Sequence, residues 1–313
     1  LAYPQTSSNR SVPSSLTMSA SPPCCDGQES FTITSRITLN RHKERGSHAV
    51  QKVHEILDEA RVCHVSYVPP PSASSPEKKT NATTSSIVSI PQLYGRSGDW
   101  LYLHGSISAT MMKRCRFPKD TSETMKGVPL KCVVSVTLID SLVLARALFS
   151  HSMNYRSVVI FADEVYPVTS DEEKNFALKA ISENTLKGRW EDTQTRKPNA
   201  AELQSTGVIK IKLSECSAKI RNGPPKDSKA DLAHTCWAGV VPIKSYFGTP
   251  MPDEACKEAK TPLPSYITQG FLKSTDIDGA MEKRGSKCSN ASSFLLGVIT
   301  TTVAVAAVQL LGV

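Results

Sequence analysis

The stretch Tyr102-Leu103-His104-Gly105-Ser106-Ile107-Ser108 brings together a histidine, a flexible glycine and two hydroxyls. A histidine changes charge near neutral pH, so His104 is a candidate proton donor. Gly105, Ser106 and Ser108 fall where a helix begins, and free backbone N–H groups with hydroxyls there suit an anion. Two further polar clusters sit at strand ends, His151 to Ser157 and Ser217 to Pro225. Arg156 and Lys219 offer positive charge, and Tyr102, Tyr155 and Trp237 offer rings that stack on a planar ligand. Each residue also has a plain structural use. Gly-Ser before a helix serves as a cap, a lone histidine as a hydrogen-bonded core residue, and tyrosine or tryptophan as core. An arginine entering a strand often pairs with a local carboxylate.

The elements that must position these groups are mostly short strands. Val62 to Val68 and Ser86 to Tyr94 flank a Pro/Ser/Lys-rich insertion, and Asp99 to Gly105 follows. Leu130 to Phe149 reads as two strands meeting at a tight Asp140-Ser141 turn. Ser157 to Ala162 is a β-branched run suited to a buried strand. Gly207 to Ile220 alternates and reads as one last long strand. Helices are expected at Gly46 to Ala60, with Ser47 as N-cap, at Ser106 to Cys115, and after Thr169 behind the acidic first turn Asp171-Glu172-Glu173. Dense antiparallel strands with few helices imply a mainly β fold, a closed barrel with peripheral helices. Alternating βαβ units are absent, which argues against a dinucleotide-binding Rossmann fold.

The bulk composition narrows the field. A chain of 313 residues with a net charge of +8 suits phosphate-bearing ligands or acidic surfaces. Its basic residues are scattered and do not interleave with aromatics, so no nucleic-acid partner is expected. The nine cysteines are odd in number and form no Cys-x-x-Cys, which argues for reduced thiols rather than a zinc site or disulfide framework. No metal site is expected.

Taken in order, ILDEA, CHVSYV, IPQLY, DWLYLHGS, ALFSHSMNYRSVVIF, GRW, SAKIRNGPP and WAGVVP resemble the flavin-nucleotide-binding proteins of the pyridoxamine 5′-phosphate oxidase-related group, near the Nim-type reductases. The resemblance spans about Arg36 to Pro264. It implies a six-stranded antiparallel split barrel, a homodimer, and FMN held between the subunits. It also implies that His104 lies beside the flavin. Gly105, Ser106, Ser108 and Thr110 would lie on the phosphate turn, and Tyr155, Arg156 and Ser157 on a strand passing the isoalloxazine. Relatives commonly carry Ser-Arg where this chain has Ala109-Thr110, so Lys113 or Arg114 would have to supply the missing charge. A charge-assisted contact to phosphate is worth roughly 1.5–3 kcal/mol. The Arg-x-His substrate motif of true pyridoxamine-phosphate oxidases has no counterpart between Gly188 and Tyr266. A flavin-dependent reductase of a small nitro-aromatic or similar molecule is therefore expected. The rival reading is a non-catalytic binder of flavin or haem.

Outside the barrel domain, assigned to residues 36–265, three segments are expected. Residues 1–35 read as a Ser/Pro-rich disordered leader and 266–293 as a linker. Phe294 to Val313 is an uncharged stretch of about 20 residues, long enough as a helix to cross a bilayer. With Lys283, Arg284 and Lys287 before it, a C-terminal tail anchor holding a cytoplasmic domain is expected, a lipid anchor being the alternative.

Overall fold

The computed structural model describes residues 29–68, 87–115, 127–245 and 247–271. The chain divides into two compact units, residues 1–243 and 244–313. The tail from Phe294 lies outside the described residues. Among those described, no helix is long and apolar enough to cross a membrane.

Among the described residues, nine strands and four α-helices make up the first unit: β1 (Gly46–Ser47), α1 (Val50–Glu59), β2 (Val62–Tyr67), β3 (Val88–Ser97), β4 (Trp100–Ser106), α2 (Thr110–Cys115), β5 (Val128–Leu144), β6 (Ser152–Val168), α3 (Asp171–Thr185), α4 (Ala200–Ser205), β7 (Thr206–Lys212), β8 (Glu215–Arg221) and β9 (Gly239–Pro242). All pairings are antiparallel. Following neighbours, β6-β7-β4-β3-β2-β5 returns to β6, so six strands close a barrel. β5 and β6 outrun it. Their far halves form a long hairpin, flanked by β9 on the β5 side and by β8 with β1 on the β6 side.

Alternation along the strands explains the closure. Val134, Val136, Val158, Ile160, Leu101, Leu103, Ile209 and Ile211 all point inward and are fully buried. β-branched residues dominate this set, as suits a pleated, packed interior. α1 and α2 add Val53, Ile56, Leu57, Met111 and Met112 to the same core. α3 packs outside on β3 and β4, over a second cluster of Tyr102, Val168, Ala177, Ile181 and Val208. Its start is capped by Ser170, whose side chain accepts the Glu173 N–H, and three acidic residues occupy its first turn.

Several sequence expectations are corrected. β5 does not turn at Asp140-Ser141. The ladder only shifts register there, between Ile139 and Ser141. Asp140 is the extra residue of this irregularity. Its carboxylate binds Arg156 and its carbonyl accepts the Ile243 N–H, so the chain stays extended. Gly207 to Ile220 is two strands, broken at Leu213-Ser214, because β7 joins the barrel while β8 joins the hairpin half. Ser47 lies in β1, and the N-cap position of α1 is Ala49, with no side-chain cap. Residues 29–35 belong to the fold: Phe31 donates to His48 O and packs on the core.

The second unit contains α5 (Glu254–Glu258) and α6 (Ser265–Phe271). Asp253 caps α5 by accepting the Cys256 N–H.

Candidate functional site

The chemistry-bearing residues fall into two groups, set by which half of the sheet carries them. The first lies where β4 runs into α2. Leu101, Leu103 and Gly105 face the barrel interior, so Tyr102, His104 and Ser106 face out. His104 is half-buried, and its Nδ1 is buried without a hydrogen-bond partner. Burial pushes its pKa below the ordinary histidine value. Beyond it the chain turns. Ser106 and Ser108 share a 2.7 Å hydroxyl contact, and Ser106 Oγ also accepts the Ser108 N–H. Both serines, Thr110 and Lys113 are exposed. Arg114 Nε, one residue on, is buried and unpartnered.

The second group lies on the hairpin half, on the outer face of β6 and β8. Tyr155 stands opposite Arg221, and Ser157 opposite Lys219. Tyr155, Ser157 and Lys219 are half-buried. Ser157 Oγ donates to Lys219 O, and Lys219 Nζ reaches Arg41 O at 3.4 Å. Trp237 precedes β9 on the other side of the hairpin and is 65% exposed. Its indole lies over Gly239, where a side chain would collide with the ring.

Two expected site residues are used otherwise. Tyr102 is buried under α3, edge-on to Phe176 at 5.9 Å between ring centroids, so neither ring face is open to a cofactor. Arg156 points inward with its side chain spent on carboxylates. Its nitrogens bind Asp140, at 2.7 Å from Nη2, and both oxygens of Glu59. These partners raise its pKa further and lower that of Glu59. Arg156 thus ties α1 to the hairpin, the structural use of an arginine entering a strand. A local carboxylate partner was legible in Asp140, but Glu59 is distant in sequence.

One residue escaped the sequence reading. Arg221 ends β8, two residues beyond Lys219 within SAKIRNGPP, and it is the buried cation of the pair, at 8% exposure. Its guanidinium donates to Asn154 Oδ1 and to the carbonyls of Gly223 and Pro224. No carboxylate pairs with it among the described residues. Only burial could have revealed it.

The two groups are far apart within one chain. His104 is in register with Val208, and Val208 with Val168 at the end of β6, whereas Tyr155 and Ser157 are near its start. That is roughly 35–45 Å along the strand at about 3.3 Å per residue.

A closed six-stranded barrel whose two longest strands leave it to form a flanked hairpin is a split β-barrel. The chain belongs to the pyridoxamine 5′-phosphate oxidase family, whose model matches residues 49–220, more than half of its length. No curated protein matches it. Among solved structures it is similar to the flavocytochrome Anf3 from Azotobacter vinelandii, at 25% identity and a TM-score of 0.61, covering 76% of this chain and 97% of that one. It is also similar to the FAD and heme binding protein from Mycobacterium smegmatis, at 26% identity and a TM-score of 0.59, covering 72% and 97%.

Proposed function

We propose that this protein is a flavin-nucleotide-binding oxidoreductase acting on a small molecule, with its cofactor held between two copies of the chain. The observation that carries the reading is the likeness, over 97% of their chains, to two split barrels named for flavin chemistry, a flavocytochrome and an FAD and heme binding protein. The residues fit such a group in two parts. Ser106 and Ser108, exposed on the β4–α2 turn, suit its phosphate, and His104 Nδ1 is a buried polar atom still lacking a partner. Tyr155 and Ser157 present a phenol and a hydroxyl to the ring. The long separation of these groups in one chain favours a second copy completing the site. FMN is the nucleotide implied by the sequence resemblance, and FAD is the one the mycobacterial protein is named for.

A bound flavin supplies hydride or single-electron transfer. The chain supplies the rest. The turn orients the phosphate, the hairpin face shields the ring from water, and His104 holds a proton for the reduced substrate. With its pKa depressed, His104 is neutral at pH 7, so turnover through it should rise as pH falls below about 6.5. Haem is the second reading, because both similar structures carry a cytochrome or heme in their names.

The test is the absorption spectrum of the purified full chain, followed by chromatography of cofactor released by heat. Flavin bands and released FMN or FAD are expected. A Soret band without flavin would favour the haem reading. A colourless protein that binds neither FMN nor FAD on titration would overturn the proposal.

A further inference from the structure

Five arginines in this fold are matched to carboxylates. Arg36 pairs with Asp163 and Glu215, Arg96 with Asp58, Arg146 with Asp227, Arg156 with Glu59 and Asp140, and Arg196 with Glu202. All five are more exposed than Arg221. Arg221, the most buried, has only neutral acceptors: one amide oxygen and two carbonyls. Taking a guanidinium out of water costs several kcal/mol unless an opposite charge compensates it. One ionisable neighbour makes matters worse. Arg45 repels Arg221, and burial and this repulsion together hold its pKa below the ordinary guanidinium value. Glu44 lies 3.6 Å from Arg45 and is itself exposed, so it serves Arg45 rather than the buried cation.

The surroundings point the same way. Tyr155 sits across the β6–β8 ladder from Arg221, and Lys219, one outward-facing position along β8, faces Ser157. Lys219 and Arg221 therefore share one face with a phenol and a hydroxyl, and among the described residues no carboxylate pairs with Arg221. A planar guanidinium matches carboxylate and phosphate oxygens in pairs, and a desolvated one discriminates strongly between an oxyanion and its neutral isostere.

We propose that Arg221, with Arg45 beside it, is the anion-recognition element of the hairpin face, and that it selects a small-molecule substrate bearing an acidic group. The word substrate rests on the flavin reading of this face, while the anion site stands without it. The missing counter-charge is then the ligand's. Binding relieves the repulsion between the two arginines and neutralises the buried cation.

Calorimetric titration of the full chain at low ionic strength tests this with three probes: inorganic phosphate, benzoate, and benzamide as the neutral isostere of benzoate. At least one anion should bind, and about tenfold or more tighter than benzamide. Which anion binds separates a phosphorylated from a carboxylated substrate. Arg221→Gln should cut that affinity about tenfold or more. Arg45→Gln leaves the Asn154, Gly223 and Pro224 contacts of Arg221 intact and should cut it about threefold. If Arg221→Gln does not fold, Arg45→Gln decides alone. Failure of the wild type to bind either anion, or wild-type affinity in every folded variant, would overturn the proposal. A colourless chain that still binds the anion through Arg221 would refute the flavin reading and leave the anion site standing.

Discussion

At the residue scale, Arg156 and His104 owe their properties to opposite physics. Arg156 is stabilised by its partners, so Arg156→Ala should leave Glu59 and Asp140 without their cation. The cluster is partly exposed, which limits the cost to about 1–2 kcal/mol. Thermal unfolding should register a fall of about 3–6 °C, with flavin affinity changed less than about twofold. The pH dependence has a definite sign. Arg156 holds Glu59 below its usual 4.5, so that part of the stability is complete above pH 4.5 and is lost as pH falls through the lower folded value. Acid unfolding of Arg156→Ala should therefore lack part of the wild-type slope below pH 4.5. His104 is shifted by burial alone. Its proton NMR titration, assigned with His104→Gln, should have a midpoint below 6.5. A midpoint at or above 6.5 would remove the reason for expecting turnover to rise on the acid side.

At the element scale, the approach of α3 to β3 depends on a missing side chain. A Cβ at Gly95 would come within 2.5 Å of Ile181 N and 2.7 Å of Ala180 O, both backbone atoms that cannot rotate away. Asn184 holds the same contact from the helix side, donating to Tyr94 O and Ala60 O. Gly95→Ala should push α3 off the barrel and destabilise the fold by about 2 kcal/mol or more, measurable by denaturant unfolding. Because α3 covers Tyr102 and Val208 next to His104, the variant should also raise the His104 titration midpoint toward 6.5. A variant as stable as wild type would mean that α3 can ride higher without loss.

At the scale of the whole molecule, the barrel leaves an outer face unfinished. Val62 and Leu93 are paired neighbours on β2 and β3, Ile139 lies on the outer side of β5, and all three are exposed. Apolar surface on a sheet face is a ready interface. A second copy would cover such surface and bring a β4–α2 turn toward a hairpin face, which one chain keeps far apart. Sedimentation of the full chain in a mild detergent should give a dimer. Mixing His104→Gln with Tyr155→Phe chains should restore one intact site per dimer, and turnover well above that of either variant alone. A monomer that turns over at the wild-type rate would exclude the shared site.

The barrel was legible in the sequence because alternation is local. Each strand carries its own in–out pattern, and closure follows when several such strands must bury one face. The ordered motifs from ILDEA to WAGVVP likewise identified the family without any contact being known. Other features depend on partners remote in sequence. That Asp140 makes a bulge rather than a turn depends on Arg156 and Ile243. Two strands between Gly207 and Ile220 exist because β7 and β8 find different neighbours along β6. The same holds for the site. Tyr102, Arg156 and Arg221 are a tyrosine and two arginines at strand ends, alike in local signal. Only packing decides that α3 covers the first, that Glu59 reaches the second, and that the third is buried with no carboxylate beside it among the described residues. Desolvation and pairing are properties of the space around a residue, and that space is assembled from the whole chain.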